Sequence, residues 1–150
     1  MDIDSTAVVT DGKVWEKDLP ELGDLEVLVA PWENPAFERA MQKGIRALPP
    51  ALRPDGAVEP VSYDRVLGRA IARTIIFDWK NFELGGVDKP FSAELAEELL
   101  VQPKYKVVRD GIVAAAKRAQ LGQKADQDAI VGNYSPSSPG GASSAPTSSS

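Results

Sequence analysis

A mainly α domain is what this sequence predicts: a small bundle of four or five helices with an N-terminal β-hairpin and a disordered C-terminal tail. Three observations carry that expectation. Apolar residues recur at three- and four-residue spacing through much of residues 34–122. Capping residues and prolines punctuate the periodic stretches. The last sixteen residues, 135–150, are all Ser, Pro, Gly, Ala or Thr. Such a segment buries too little area to offset roughly 1–2 kcal/mol of backbone entropy per residue. The expected organisation is a flexible N-terminus over 1–12, one α-rich domain over 13–131 and a disordered tail over 132–150.

Within the domain, KVWEKDL and DLEVLVAPW flank the turn-forming PELG, Pro20 to Gly23. Leu25, Val27 and Val29 alternate at period 2, so residues 13–32 predict a β-hairpin, with Pro31 limiting its second strand. Asn34 is an apt N-cap and Pro35 suits the first helical position. Phe37, Ala40, Met41, Gly44, Ile45 and Leu48 then follow at helical spacing until Pro49 and Pro50 stop the helix. Residues 49–60 hold four of the twelve prolines and predict an extended or looping connector.

A second helix is expected from Val61 or Ser62. Tyr63, Val66, Leu67, Ala70, Ile71, Thr74 and Ile75 form its apolar stripe, and Arg65, Arg69 and Arg73 form a row on another face. Its end is expected near Asp78 and Trp79. Gly85 and Gly86 supply the positive φ of a turn. Ser92 caps a short helix whose buried face is Leu95, Ala96, Leu99 and Leu100, and Phe91 can staple onto its first turn. Pro103 opens a last helix with a stripe of Tyr105, Val108, Ile112, Ala115 and Ala119, expected to end at Gly122 as its C′ residue, with a separate last turn or two over Lys124 to Val131.

Composition bounds the chemistry. The absence of cysteine excludes disulfides and thiolate metal sites. Without histidine, the usual general base near neutral pH is missing. Carboxylates are plentiful, but none form the spacing of a calcium loop, and Gly85-Gly86 lacks the pattern of a phosphate loop. The expectation is therefore no enzyme, no catalytic residues, no cofactor and no metal. Net charge is −5, and residues 1–33 hold nine acidic side chains against two basic ones. That balance disfavours nucleic acid and anionic lipid and favours protein partners. No leader-like or membrane-spanning run is visible, so a cytoplasmic location is expected.

One ordered set of residues carries more. Ile75, Ile76, Asp78, Trp79, Lys80 and Phe82 precede a glycine turn. Pro90, Phe91, Ser92, Glu94, Ala96, Leu99, Leu100 and Pro103 follow it. This order, within residues 61–122, resembles the tail assembly chaperones of long-tailed bacteriophages. The resemblance implies a protein of the host cytoplasm that binds the tape measure protein, keeps it soluble and helps recruit tail tube subunits. Such proteins are not expected in the mature virion, and the family supplies no catalytic residues to carry over. Self-association is a further possibility; nucleic acid and membrane are not expected partners. The client face is expected around Trp79, Phe82 and Phe91, with Arg65, Arg69 and Arg73 as a charged rim. The other reading of the three aromatics is that they seal the junction between two helices. Alternatives for the whole chain are a head–tail connector or tail-completion protein of the virion, and a small adaptor that binds nucleic acid through its arginine row.

Overall fold

The fold is that of a computed structural model, which describes residues 9–10 and 12–134. The flexible segment expected over 1–12 lies outside the described residues, apart from Val9, Thr10 and Gly12. So does the tail beyond Tyr134. The chain divides into two compact units, residues 1–120 and 121–150.

The expectation of a mainly α bundle is corrected. The fold is mixed α/β, with four α-helices and two small antiparallel sheets among the described residues. The first sheet runs in chain order: β1 (Val9–Thr10), β2 (Lys13–Glu16), β3 (Glu26–Val29) and β4 (Ile76–Lys80). The second is the hairpin of β5 (Glu83–Leu84) and β6 (Val87–Asp88). The helices are α1 (Pro35–Arg46), α2 (Pro60–Thr74), α3 (Ala93–Leu100) and α4 (Lys106–Tyr134).

The correction centres on β4. Residues 76–78 were expected to continue the second helix, yet α2 stops at Thr74 and the chain turns directly into a strand. Ile76, Phe77 and Trp79 are β-branched or aromatic, and the partner strand β3 offers a complete row of backbone groups. Val27 pairs with Trp79, Leu28 with Asp78 and Val29 with Ile76, which leaves Phe77 as the extra residue of a bulge. The bulge explains a parity problem. Ile76 and Trp79 are three apart, so a regular strand would point them to opposite faces, whereas both are buried here. The inserted residue resets the alternation, and Phe77 emerges on the exposed side.

Ile76, Trp79, Val27 and Val29 face a single core with Ile71 and Ile75, and with Leu100, Ile112, Ala115 and Ala116 from α3 and α4. The row across the other face is Trp15, Leu28 and Asp78. There Lys80 lies over the Trp15 ring at 4.2 Å, and Lys13 over Phe77 at 4.4 Å. Polar contacts in the third and fourth turns of α4 tie it to the segments that follow β2 and β3. Trp32 N–H donates to Ala116 O at 3.1 Å, and Arg118 Nη2 donates to Lys17 O at 2.9 Å. Arg118 also lies 3.7 Å from Glu16, whose carboxyl is pushed above the ordinary range by burial and pulled back by that guanidinium.

Local signals place the helix ends. Asn34 Oδ1 accepts from Ala36 and Phe37 N–H, and Ser92 Oγ accepts from Leu95 N–H. The connector 49–60 folds into two short 3₁₀ turns, Pro50–Leu52 and Pro54–Gly56. It then delivers Glu59 as the N-cap of α2, accepting from Val61 and Ser62. Gly85 and Gly86, at φ +59° and +78°, form the two-residue turn between β5 and β6. The helix end expected at Gly122 is corrected as well, because α4 runs on to Tyr134. One interior glycine costs only about 1 kcal/mol relative to alanine, and the residues beyond it, with Lys, Ala and Gln among them, sustain a helix.

Candidate functional site

The six residues expected to bind a partner fall into two groups. Trp79 and Phe82 are buried, at 6% and 7% exposure, and Phe91 is half-buried. The Trp79 ring lies 4.7 Å from Phe82 and 4.9 Å edge-on from Phe91, and its Nε1–H donates to Lys89 O at 2.7 Å. These contacts tie β4 to the strap that enters α3. Phe91 packs edge-on against the tryptophan. The three aromatics form one cluster at the helix–sheet junction, and its two largest contributors to the core are closed to solvent.

The arginines are exposed. Arg73 Nε and Nη2 donate to the two carboxylate oxygens of Glu97 at 2.8 and 3.3 Å, and Arg69 Nε lies 3.4 Å from the same carboxylate. Two guanidiniums therefore share one acid, and the ridge keeps a net positive charge. Arg65 lies near Glu59. The Ser62 hydroxyl, and then the Val61 and Ser62 N–H groups, hold the Glu59 carboxyl below its ordinary range, with Arg65 adding a smaller pull.

Arg69 and Arg73 also line a groove of about 340 Å³ between α1 and α2. Its wall is made of small apolar residues: Ala40 and Gly44 from α1, Ala47 at the C-cap of α1, with Val66 and Ala70 from α2. Lys43 and Thr74 complete it. The helices come close where Gly44 meets Val66; a Cβ at Gly44 would stand 2.7 Å from Val66 Cγ1. One end is pinned by Asn34, whose Nδ2 donates to Thr74 O at 2.9 Å while its Oδ1 caps α1. A single side chain thus joins the start of α1 to the end of α2.

The charge around this groove opposes that of the chain. Helices α1 and α2 carry six basic side chains and two acidic ones, while the rest of the sequence carries eleven basic and twenty acidic. The arrangement suits non-covalent recognition: an apolar wall of small residues with cations along its edges. Lys43, Gly44 and Ala47 were not singled out as functional from the sequence. Their sign was the recurrence of small residues on α1, which reads equally as helix packing.

Arg109 of α4 is a further unexpected feature, being 3% exposed in the middle of an apolar stripe. Its Nη2 lies 3.6 Å from Asp64 Oδ2, and its Nε has no hydrogen-bond partner among the described residues. It links α4 to α2 from inside. Among the described residues no group of carboxylates is arranged to hold a metal ion, and no helix is long and apolar enough to cross a membrane.

The family described as YdaY prophage protein matches residues 32–133, a span that contains α1, α2, α3 and nearly all of α4. The chain belongs to this prophage family. Its bacteriophage origin follows, and the finer resemblance to tail assembly chaperones remains a matter of function. No curated protein matches the chain, and no solved structure does. The family span includes both walls of the groove and excludes β1, β2 and β3.

Proposed function

We propose that this prophage protein is a tail assembly chaperone. It binds the tape measure protein in the host cytoplasm, keeps it soluble, helps recruit tail tube subunits and leaves before the virion is complete. The observation that carries the reading is the cation-edged groove between α1 and α2, lined by small residues and open to a long helical client. Prophage membership and the ordered residues of 61–122 support the same reading. The client surface is assigned to this groove with Arg69 and Arg73 on its edge, while Trp79, Phe82 and Phe91 brace the junction between β4 and the segment that enters α3.

Apolar stripes of a long helical protein aggregate when left uncovered. Several modest contacts along one client hold it in solution and still yield to tube subunits. The test is co-expression with the long helical product of a neighbouring gene. That partner is expected in the soluble fraction only when this chain is present, and this chain is expected to be missing from purified particles. Solubility of the partner that is indifferent to this chain, or a stoichiometric ring of this chain in mature particles, contradicts the proposal.

A further inference from the structure

We infer that the groove between α1 and α2 takes an amphipathic α-helix with alanine and leucine along its contact stripe and carboxylates along its edges. This rests on the reading above and names the chemistry of the client segment. The argument comes from α3, which already docks against the same arginine ridge from its other side.

Helix α3 has the sequence AELAEELL. It buries Ala96, Leu99 and Leu100 and offers Glu97 to Arg69 and Arg73. Its approach to α2 is so close that a Cβ at Gly68 would fall on the Leu100 carbonyl. An Ala/Leu stripe with a glutamate beside it is thus how this ridge is satisfied within the chain. On the groove side the same two arginines face Lys43 across an apolar wall that includes Ala40, Ala47 and Ala70. Lys43 forms no ion pair among the described residues, and one carboxylate leaves the two arginines undercompensated. A carboxylate-edged helix meets both edges at once, whereas a basic helix meets like charge on both. The groove's lining on this side runs from Ala40 to Ala47, about 11 Å of helix, enough for about two turns of a bound helix.

The test uses the full chain and two labelled, side-chain-stapled peptides of about 20 residues, a length at which a helix is sustainable. One carries an Ala/Leu stripe with Glu on both edges; the other replaces every Glu by Lys. Fluorescence anisotropy is expected to show the Glu peptide binding at least about tenfold more tightly than the Lys peptide, with affinity falling as salt rises. The double variant Lys43→Glu/Ala47→Glu changes exposed positions only. It is expected to weaken the Glu peptide about tenfold or more while its melting temperature stays near that of the parent. Equal affinity for the two peptides, no binding of either, or no response to the double variant overturns the inference. So does a dimer of the unliganded chain that dissociates in the double variant, since a second copy would then occupy the groove. If the peptides fail while co-expression still solubilises the long partner, this inference falls and the chaperone reading stands on another surface. If the peptides bind as expected and the partner stays insoluble, the groove chemistry stands and the chaperone reading falls.

Discussion

Helix α2 meets two neighbours, and the contacts differ in kind. Against α3 the backbones touch at Gly68 and Leu100, apolar side chains close the seam, and Glu97 caps the arginine ridge. Against α1 the helices meet at Gly44 and Val66, leaving a groove lined by small residues with cations on its edges. The first contact builds the domain. The second is pinned through Asn34 and again where Gly44 meets Val66, and it opens beside the arginines as a groove. Substitutions on the closed side should therefore register as stability, and substitutions on the open side as binding.

The largest effect is expected at the junction that steers the chain into α3. Trp79→Ala removes the ring that touches Phe82 and Phe91 and the hydrogen bond to Lys89 O. A loss of about 3–5 kcal/mol in denaturant unfolding is expected. A folded Trp79→Ala protein with near-parental stability and lost client binding would instead place Trp79 on the client surface. Next comes Gly68→Ala, which drives a methyl onto the Leu100 carbonyl. Backbone cannot yield as a side-chain tip does, so a cost of about 2–3 kcal/mol is expected, at the upper end for overpacking. Loss of less than half that would show that the helices part freely.

Smaller is the effect of Glu97→Gln. The arginines it holds are largely exposed, at 46% and 62% of their side chains, so screening limits the cost to about 0.5 kcal/mol. The same change frees both guanidiniums toward the groove, and the Glu-edged peptide should bind no more weakly than it does to the parent. Smallest is a pH effect at Glu59, the N-cap of α2. Its carboxyl titrates lower when folded than when unfolded, so the ionised cap favours folding above the unfolded value of about 4.3 and loses that contribution as pH falls through the folded value. Thermal melts of the parent and Glu59→Gln should differ near neutral pH and converge in acid. A gap that widens in acid would reverse the sign.

How far the sequence disclosed this architecture depends on whether a feature was local. Asn34-Pro35 and Ser92 name their own caps, and Gly85-Gly86 names its turn, because those conformations are decided within a few residues. The hairpin of β2 and β3 was legible from alternation at Leu25, Val27 and Val29. Strand β4 was not. Ile75 and Ile76 continue the apolar run of α2 with no proline or glycine between, and only pairing with β3, some fifty residues earlier in the chain, makes Ile76–Lys80 a strand. The same limit applies to the site. The arginine row could be read from its spacing, and the aromatics of the junction from their order. Which aromatics are enclosed is settled by β4, and the groove exists only because the connector 49–60 folds α1 back on α2. Neither is a property of one segment.

The most direct test of the central claim is photo-crosslinking inside cells that co-express the long helical partner. A photoreactive residue at position 47, the C-cap of α1 in the groove wall, is compared with one at position 77 on the exposed side of β4. The account predicts a crosslink to the partner from position 47 and little or none from position 77. A crosslink from position 77 alone, or equal yields from both, would contradict it.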